Sequence, residues 1–290
     1  MSITILAQFT EWLIEEGKAA KTIESYTTDV RLFQKYLTDK DVDLETLLTR
    51  FLFVQYKEHL QEKEMSVATI NKKVNSLKVY NDWLFDKGFV EAVNIKLKKD
   101  KISMASGSEE EVSVLTDQQV QQFLFHLEKE SQRNRLIGYL LLYTGVRVSE
   151  LVGIKRADID PNGAVLMVKG KGGKLREVPL RQDVLEHLQT YQKGERANHK
   201  YRDSPALLLS QRAAKMHRDS VRRWLEAVGK QLGFHMHPHM LRHTFCTVLL
   251  RKGVELTTVS KLAGHANVNM TAKYYIQTSK AEKQLAVELL

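Results

Sequence analysis

A chain of 290 residues with 43% hydrophobic content is long and apolar enough for two cores, and reads as a soluble folded protein. Lys and Arg number 44 against 35 Asp and Glu, a formal net charge of +9, which favours a polyanionic partner, nucleic acid before membrane. The single cysteine, Cys246, rules out an internal disulfide, fits a reducing compartment and, inside the run TFCTVLL, reads as a buried structural thiol.

The first residues carry Glu11, Glu15 and Glu16 and no basic flank, which argues against a secretory leader. Apolar residues then recur at helical spacing: Leu6, Phe9, Trp12 and Leu13; Ile23, Tyr26, Val30, Phe33 and Leu37; Ile70, Val74, Leu77 and Leu84. They predict a small helical bundle over residues 1–95, with Thr22 and Ser66 as N-caps and Gly17 and Gly88 after helix ends. On the polar side of its last helix, Lys72, Lys73 and Lys78 are candidate phosphate contacts, against the alternative of a solvated charged face. Residues 96–113, with a lysine cluster, a small-residue stretch and glutamates, predict a flexible linker.

The second domain is expected over 114–290. Thr116 or Asp117 caps its first helix, and RLIGYLLLYTGVRVSELVGI is helical; its most apolar part, 136–146, falls short of the ~20 residues a membrane span needs. Val165–Val168 and Leu175–Val178 are strand-like runs around GKGG, a β-hairpin with lysine at its tip. Helices are expected from Gln182 to the end, interrupted near residues 233–238. A cytoplasmic protein, mainly α with one small sheet, follows.

HPHMLRHTF, residues 237–245, poses the chemical question. His239 and His243 share a helix face, but the position after His239 is Met240 rather than the glutamate of a zinc hydrolase, and no CxxC exists. GKGGK lacks the spacing of a nucleotide-binding loop. Phosphate fits better: His239 and Arg242 lie on one face of the helix after Pro238, and Arg147 in TGVRVSEL supplies a second guanidinium.

TGVRVSEL, VKGKGGKLREVPL, HPHMLRHTF and LAGHANVNMTAKYY, in this order and spacing, resemble the tyrosine recombinase (phage integrase, lambda-integrase-like) family, with bacterial Xer-type recombinases as the nearest comparison. The resemblance implies a two-domain DNA clamp: a helical core-binding (SAM-like) domain and an α+β catalytic domain. It makes Arg147, Lys171, His239, Arg242 and His265 catalytic, Glu150 a supporting acid and Tyr274, rather than Tyr275, the nucleophile. Lys174 and Arg176 of the hairpin join Lys72, Lys73 and Lys78 as DNA contacts. Ala263 departs from the Leu-Gly-His run common in relatives, a small change that leaves His265 in register. The implied reaction breaks and rejoins duplex DNA through a phosphotyrosine and a Holliday junction, with no metal, ATP or other cofactor. The implied partners are a recombination site, three further copies in a synaptic tetramer, and accessory DNA-binding proteins. The apolar tail from Leu285 to Leu290 is expected to dock on a neighbour or on its own domain. A type IB topoisomerase and a non-catalytic DNA-binding regulator are the alternatives. The tail and domain layout weigh against the first, the complete motif set against the second.

Overall fold

The computed structural model describes residues 2–42, 48–103, 113–170, 173–265, 267–268 and 271–272. The chain divides into two compact units, Met1–Glu109 and Glu110–Leu290.

The first unit is a helical bundle of α1 (Ser2–Glu15), α2 (Ala20–Thr38), α3 (Arg50–Glu62), α4 (Val67–Asp86) and the single turn α5 (Leu97–Asp100). The periodic apolar positions face inward as expected: Phe9, Leu13, Val30, Phe33, Ile70, Val74, Leu77 and Leu84 are buried together with Phe53 and Trp83. Each such side chain contributes roughly 1.5–3 kcal/mol through burial. Ser66 caps α4, its Oγ accepting from the Thr69 N–H at 3.2 Å. Thr22 is not a cap: the Thr22 N–H already donates to the Ala19 carbonyl at 2.7 Å, so α2 starts earlier, behind Ala19.

Between α2 and α4 lies Asp29, buried, accepting from Lys72 at 2.8 Å, Lys73 at 3.2 Å and Ser76 at 2.7 Å. Burial pushes its carboxyl up, but the hydrogen bonds from Lys72 and Ser76 and the charge of Lys73 outweigh that and leave it below the ordinary carboxylate value. A carboxyl held low stabilises the fold above its unfolded pKa and loses that contribution as pH falls through the folded value. Asp29→Asn is therefore expected to destabilise this unit by about 3 kcal/mol at neutral pH, because it leaves Lys73 buried without a countercharge. Chemical denaturation at pH 7 and pH 3 checks this, the difference between variant and wild type shrinking at the lower pH.

Residues 96–103 depart from the expected flexible linker. Asp100 is buried and accepts from Arg50 Nη1 at 2.6 Å and from the Lys96 N–H at 2.7 Å, while Asn71 holds Ile102 through both its N–H and its carbonyl. Asn81 accepts from the N–H groups of Asn94 and Ile95, at 2.7 and 3.1 Å. Side chains far upstream thus satisfy the backbone of a stretch with no apolar period of its own.

In the second unit, α6 (Asp117–Leu127) starts on a capping box between Thr116 and Gln119 and is followed by α7 (Gln132–Thr144) and α8 (Val148–Leu151). A three-stranded antiparallel sheet, β1 (Ile159–Asp160), β2 (Val165–Lys169) and β3 (Leu175–Pro179), follows in the order β1-β2-β3. The expected hairpin is β2–β3, with Val168 opposite Arg176; β1 was not foreseen. Then come α9 (Gln182–Lys193), α10 (Arg218–Leu232), α11 (Pro238–Arg251) and α12 (Leu256–Ala263). Residues 194–217, expected to be helical, are irregular. The buried Arg196 guanidinium gathers the carbonyls of Arg202, Ser204, Ala206 and Leu207, which fold the loop round it instead of continuing a helix. The core is built on Leu136, Leu140, Leu141, Leu151, Leu166, Val178, Leu225 and Leu241. No described helix is long and apolar enough to cross a membrane.

Candidate phosphate site

Arg147 stands where α7 turns into α8. Gly145 ends α7 at φ 60°, and a Cβ there would lie 2.3 Å from the Phe245 ring, so conformation and space both require glycine. The turn makes Arg147 the N-cap of α8: its N–H donates to Glu150 Oε2 at 2.9 Å and its Nη1 to Oε1 at 2.8 Å. Its Nη2 reaches the Gly264 carbonyl at 2.9 Å, tying this turn to the end of α12.

Glu150, 8% exposed, also receives Arg176 Nη1 at 3.1 Å and Nη2 at 2.8 Å. Burial alone would raise its pKa; the Arg176 fork, the Arg147 N–H, the charge of Arg176 and the Arg147 side-chain hydrogen bond hold it below the usual carboxylate range. Arg176 Nε donates to the Leu262 carbonyl at 2.8 Å, so all its nitrogens are engaged inside the protein. This corrects the expected DNA contact: Arg176 joins β3, α8 and α12. Gly264 makes room for it, since a Cβ there would meet Arg176 Nη1 at 2.7 Å.

Arg242 projects from α11 and is 2% exposed. Its Nη1 donates to the Gly145 carbonyl at 2.5 Å; among the described residues its buried Nη2 has no hydrogen-bond partner and no carboxylate pairs with it. Burial first, then the positive charge of Arg147, pulls its guanidinium down to about 10. His239 lies one turn earlier on α11, open to solvent; partial desolvation and then Arg242, Arg222 and Arg147 shift its ring below the ordinary histidine value. Burial, followed by the charges of Arg242 and Arg147, lowers His265 to about 4. His265 Nδ1 lies 2.7 Å from the hydroxyl of the fully buried Thr271. His243 is half-buried and lowered to about 4 by burial and then by His239, in keeping with a structural place. Cys246 is buried on the same helix, and burial pushes its thiol up to about 11.

Arg147, Glu150, His239, Arg242 and His265, drawn from α8, α11 and the end of α12, thus sit within electrostatic reach of one another. Lys171 and Tyr274 lie outside the described residues. Lys174 is exposed on the hairpin. Of the other lysines, Lys73 is corrected: its side chain is 8% exposed and bound to Asp29, an internal ion pair rather than a surface cation. Lys72 is half-exposed and Lys78 pairs with Asp82, one turn away. Two residues were missed in their roles, Arg176 and Thr271. Strand alternation carried the signal for the first, because Arg176 shares the inward side of β3 with the buried Val178.

Residues 113–282 match the phage integrase family model and residues 6–88 that of the phage integrase N-terminal SAM-like domain. The TnP I resolvase of Bacillus thuringiensis is 32% identical over 273 residues, covering 93% of this chain and 94% of the relative. Tyrosine recombinase XerA of Pyrococcus furiosus is 32% identical over 288 residues, covering 98% and 93%. Among solved structures, the XerH site-specific recombinase bound to a palindromic difH substrate, a post-cleavage complex, shares the fold with a TM-score of 0.78 at 23% identity, over 93% of this chain and 80% of that one. A mainly helical chain of two units, matched over 113–282 and 6–88 by these family models and 32% identical to XerA nearly end to end, is thereby placed: it belongs to the phage integrase family of tyrosine recombinases.

Proposed function

We propose that the chain is a site-specific recombinase that cuts and rejoins duplex DNA through a 3′-phosphotyrosine. The observation that carries this is the charge imbalance: Arg147 and Arg176 both hold the one carboxylate, Glu150, while Arg242, within electrostatic reach of all three, is buried with its Nη2 unpaired among the described residues. Arg176 neutralises Glu150, so Arg147 and Arg242 have charge to give to an anion. A phosphodiester supplies that anion, and charge growing on its oxygens in the transition state strengthens the interaction.

In this reading the Tyr274 hydroxyl attacks phosphorus and the bond to the 5′ oxygen breaks. His239, kept neutral by its lowered pKa, accepts the phenolic proton, and Lys171 protonates the departing oxygen. The ester keeps the bond energy, so another strand's 5′ hydroxyl reverses the step without ATP or metal. Two rounds, on a tetramer holding two sites, pass through a Holliday junction. The family's DNA-bound structures and the resolvase relative support integration or resolution of a mobile element, plasmid or chromosome dimer.

The test is incubation with a nicked suicide substrate carrying the target site: a covalent protein–DNA adduct is expected, and its absence on every site tried would leave a DNA-binding regulator. Binding should also weaken steeply with salt. About six neutralised phosphates correspond to a loss of about 10³ in affinity between 50 and 200 mM salt. A flat response in a filter-binding titration would contradict a phosphate-dominated interface.

A further inference from the structure

His265 has two ring nitrogens, and a neutral imidazole must place its one proton on one of them. Its surroundings keep it neutral, since burial and the nearby Arg242, Arg147 and Arg176 all oppose a positive ring. The backbone is already fixed. The His265 N–H donates to the Ser260 carbonyl at 3.0 Å, and the preceding Gly264 carries the carbonyl that Arg147 grips. On the ring, the Thr271 hydroxyl lies 2.7 Å from Nδ1, fully buried at the start of the next helical turn, where the Thr271 N–H donates to the Val268 carbonyl at 2.8 Å.

We propose that Thr271 is a positioning residue: its hydroxyl donates to His265 Nδ1, which places the ring proton on Nε2 and makes that nitrogen a donor to a phosphoryl oxygen. The chemistry favours this polarity. The neighbours of His265 are cations and the ligand is an anion, so the useful form of a neutral ring there presents an N–H to the ligand. The opposite tautomer would turn a lone pair toward negatively charged oxygen. Thr271 also lies three residues before Tyr274 in the sequence. The inference rests on reading His265 as part of the phosphate site.

The experiment has two arms on the full chain. In the first, ¹⁵N-labelled histidine in the wild type is read by NMR, with His265→Gln identifying the signal. The expected pattern is an unprotonated Nδ1 and a protonated Nε2; the reverse pattern overturns the proposal. In the second, Thr271→Val, which keeps the shape and removes the hydroxyl, is compared with Thr271→Ser and wild type on a suicide substrate. The single-turnover cleavage rate should fall about 10- to 100-fold in Thr271→Val with DNA affinity unchanged, and return toward wild type in Thr271→Ser. Thr271→Val cleaving at the wild-type rate would overturn the positioning role alone. A wild-type chain that forms no adduct would instead overturn the phosphate-site reading, and this inference with it.

Discussion

Tyr274→Phe is expected to abolish the covalent adduct while leaving DNA affinity within about twofold. Removing a nucleophile takes away the bond-forming atom itself, and losses on the order of 10⁴ or more are usual for such a change. The substitution deletes one oxygen and keeps the ring, so packing and phosphate contacts should survive. An unperturbed phenol, with a pKa near 10, is a poor nucleophile at neutral pH. On the proposed reading, the guanidiniums of Arg147 and Arg242, mutually repulsive in the free protein, would favour its ionised form as it attacks. Tyr275→Phe is the control and should still form adduct. Denaturing gel electrophoresis of labelled suicide substrate reads all three proteins, and an adduct from Tyr274→Phe would move the nucleophile elsewhere.

The second large effect is expected at Arg242. Its guanidinium sits in one buried position with two ends: Nη1 holds the Gly145 carbonyl at 2.5 Å, and Nη2 has no partner among the described residues. A lysine there has one compact ammonium on a shorter reach and cannot meet the Gly145 carbonyl and a phosphoryl oxygen with a planar fork. Arg242→Lys should therefore slow cleavage by about 10² to 10³, the cost of losing one well-placed donor in a dry site. Ground-state DNA binding should weaken far less, because many exposed cations share it. Single-turnover cleavage and a thermal melt separate chemistry from folding. A rate within threefold of wild type, in a protein that melts normally, would remove Arg242 from the reacting phosphate.

Tertiary context corrected two of the basic residues, and in each case the reason is a distant carboxylate. Lys73 and Lys72 are neighbours in the sequence and look alike there. On α4, Lys73 turns toward Asp29, 44 positions away, and its side chain is buried, while Lys72 keeps half its surface in water. Arg176 followed a hairpin rich in lysine and so resembled a groove contact. Glu150, 26 residues earlier, and the Leu262 carbonyl, 86 residues later, claim it instead.

What the amino-acid order determined by itself is whatever is encoded within a turn or two of chain. The helical period, the Ser66 and Thr116 caps, the αL glycines at 17, 88 and 145 and the β2–β3 hairpin all depend on neighbours a few residues away. The four motifs carried the family and the residue types of the site for the same reason. Only the folded chain decided which charges remain available. Arg147 meets the Gly264 carbonyl across 117 positions and Arg242 meets that of Gly145 across 97, separations over which local pattern carries no information. A cation's role is fixed by the acceptor that reaches it first, and in a buried site that acceptor comes from another element of the fold.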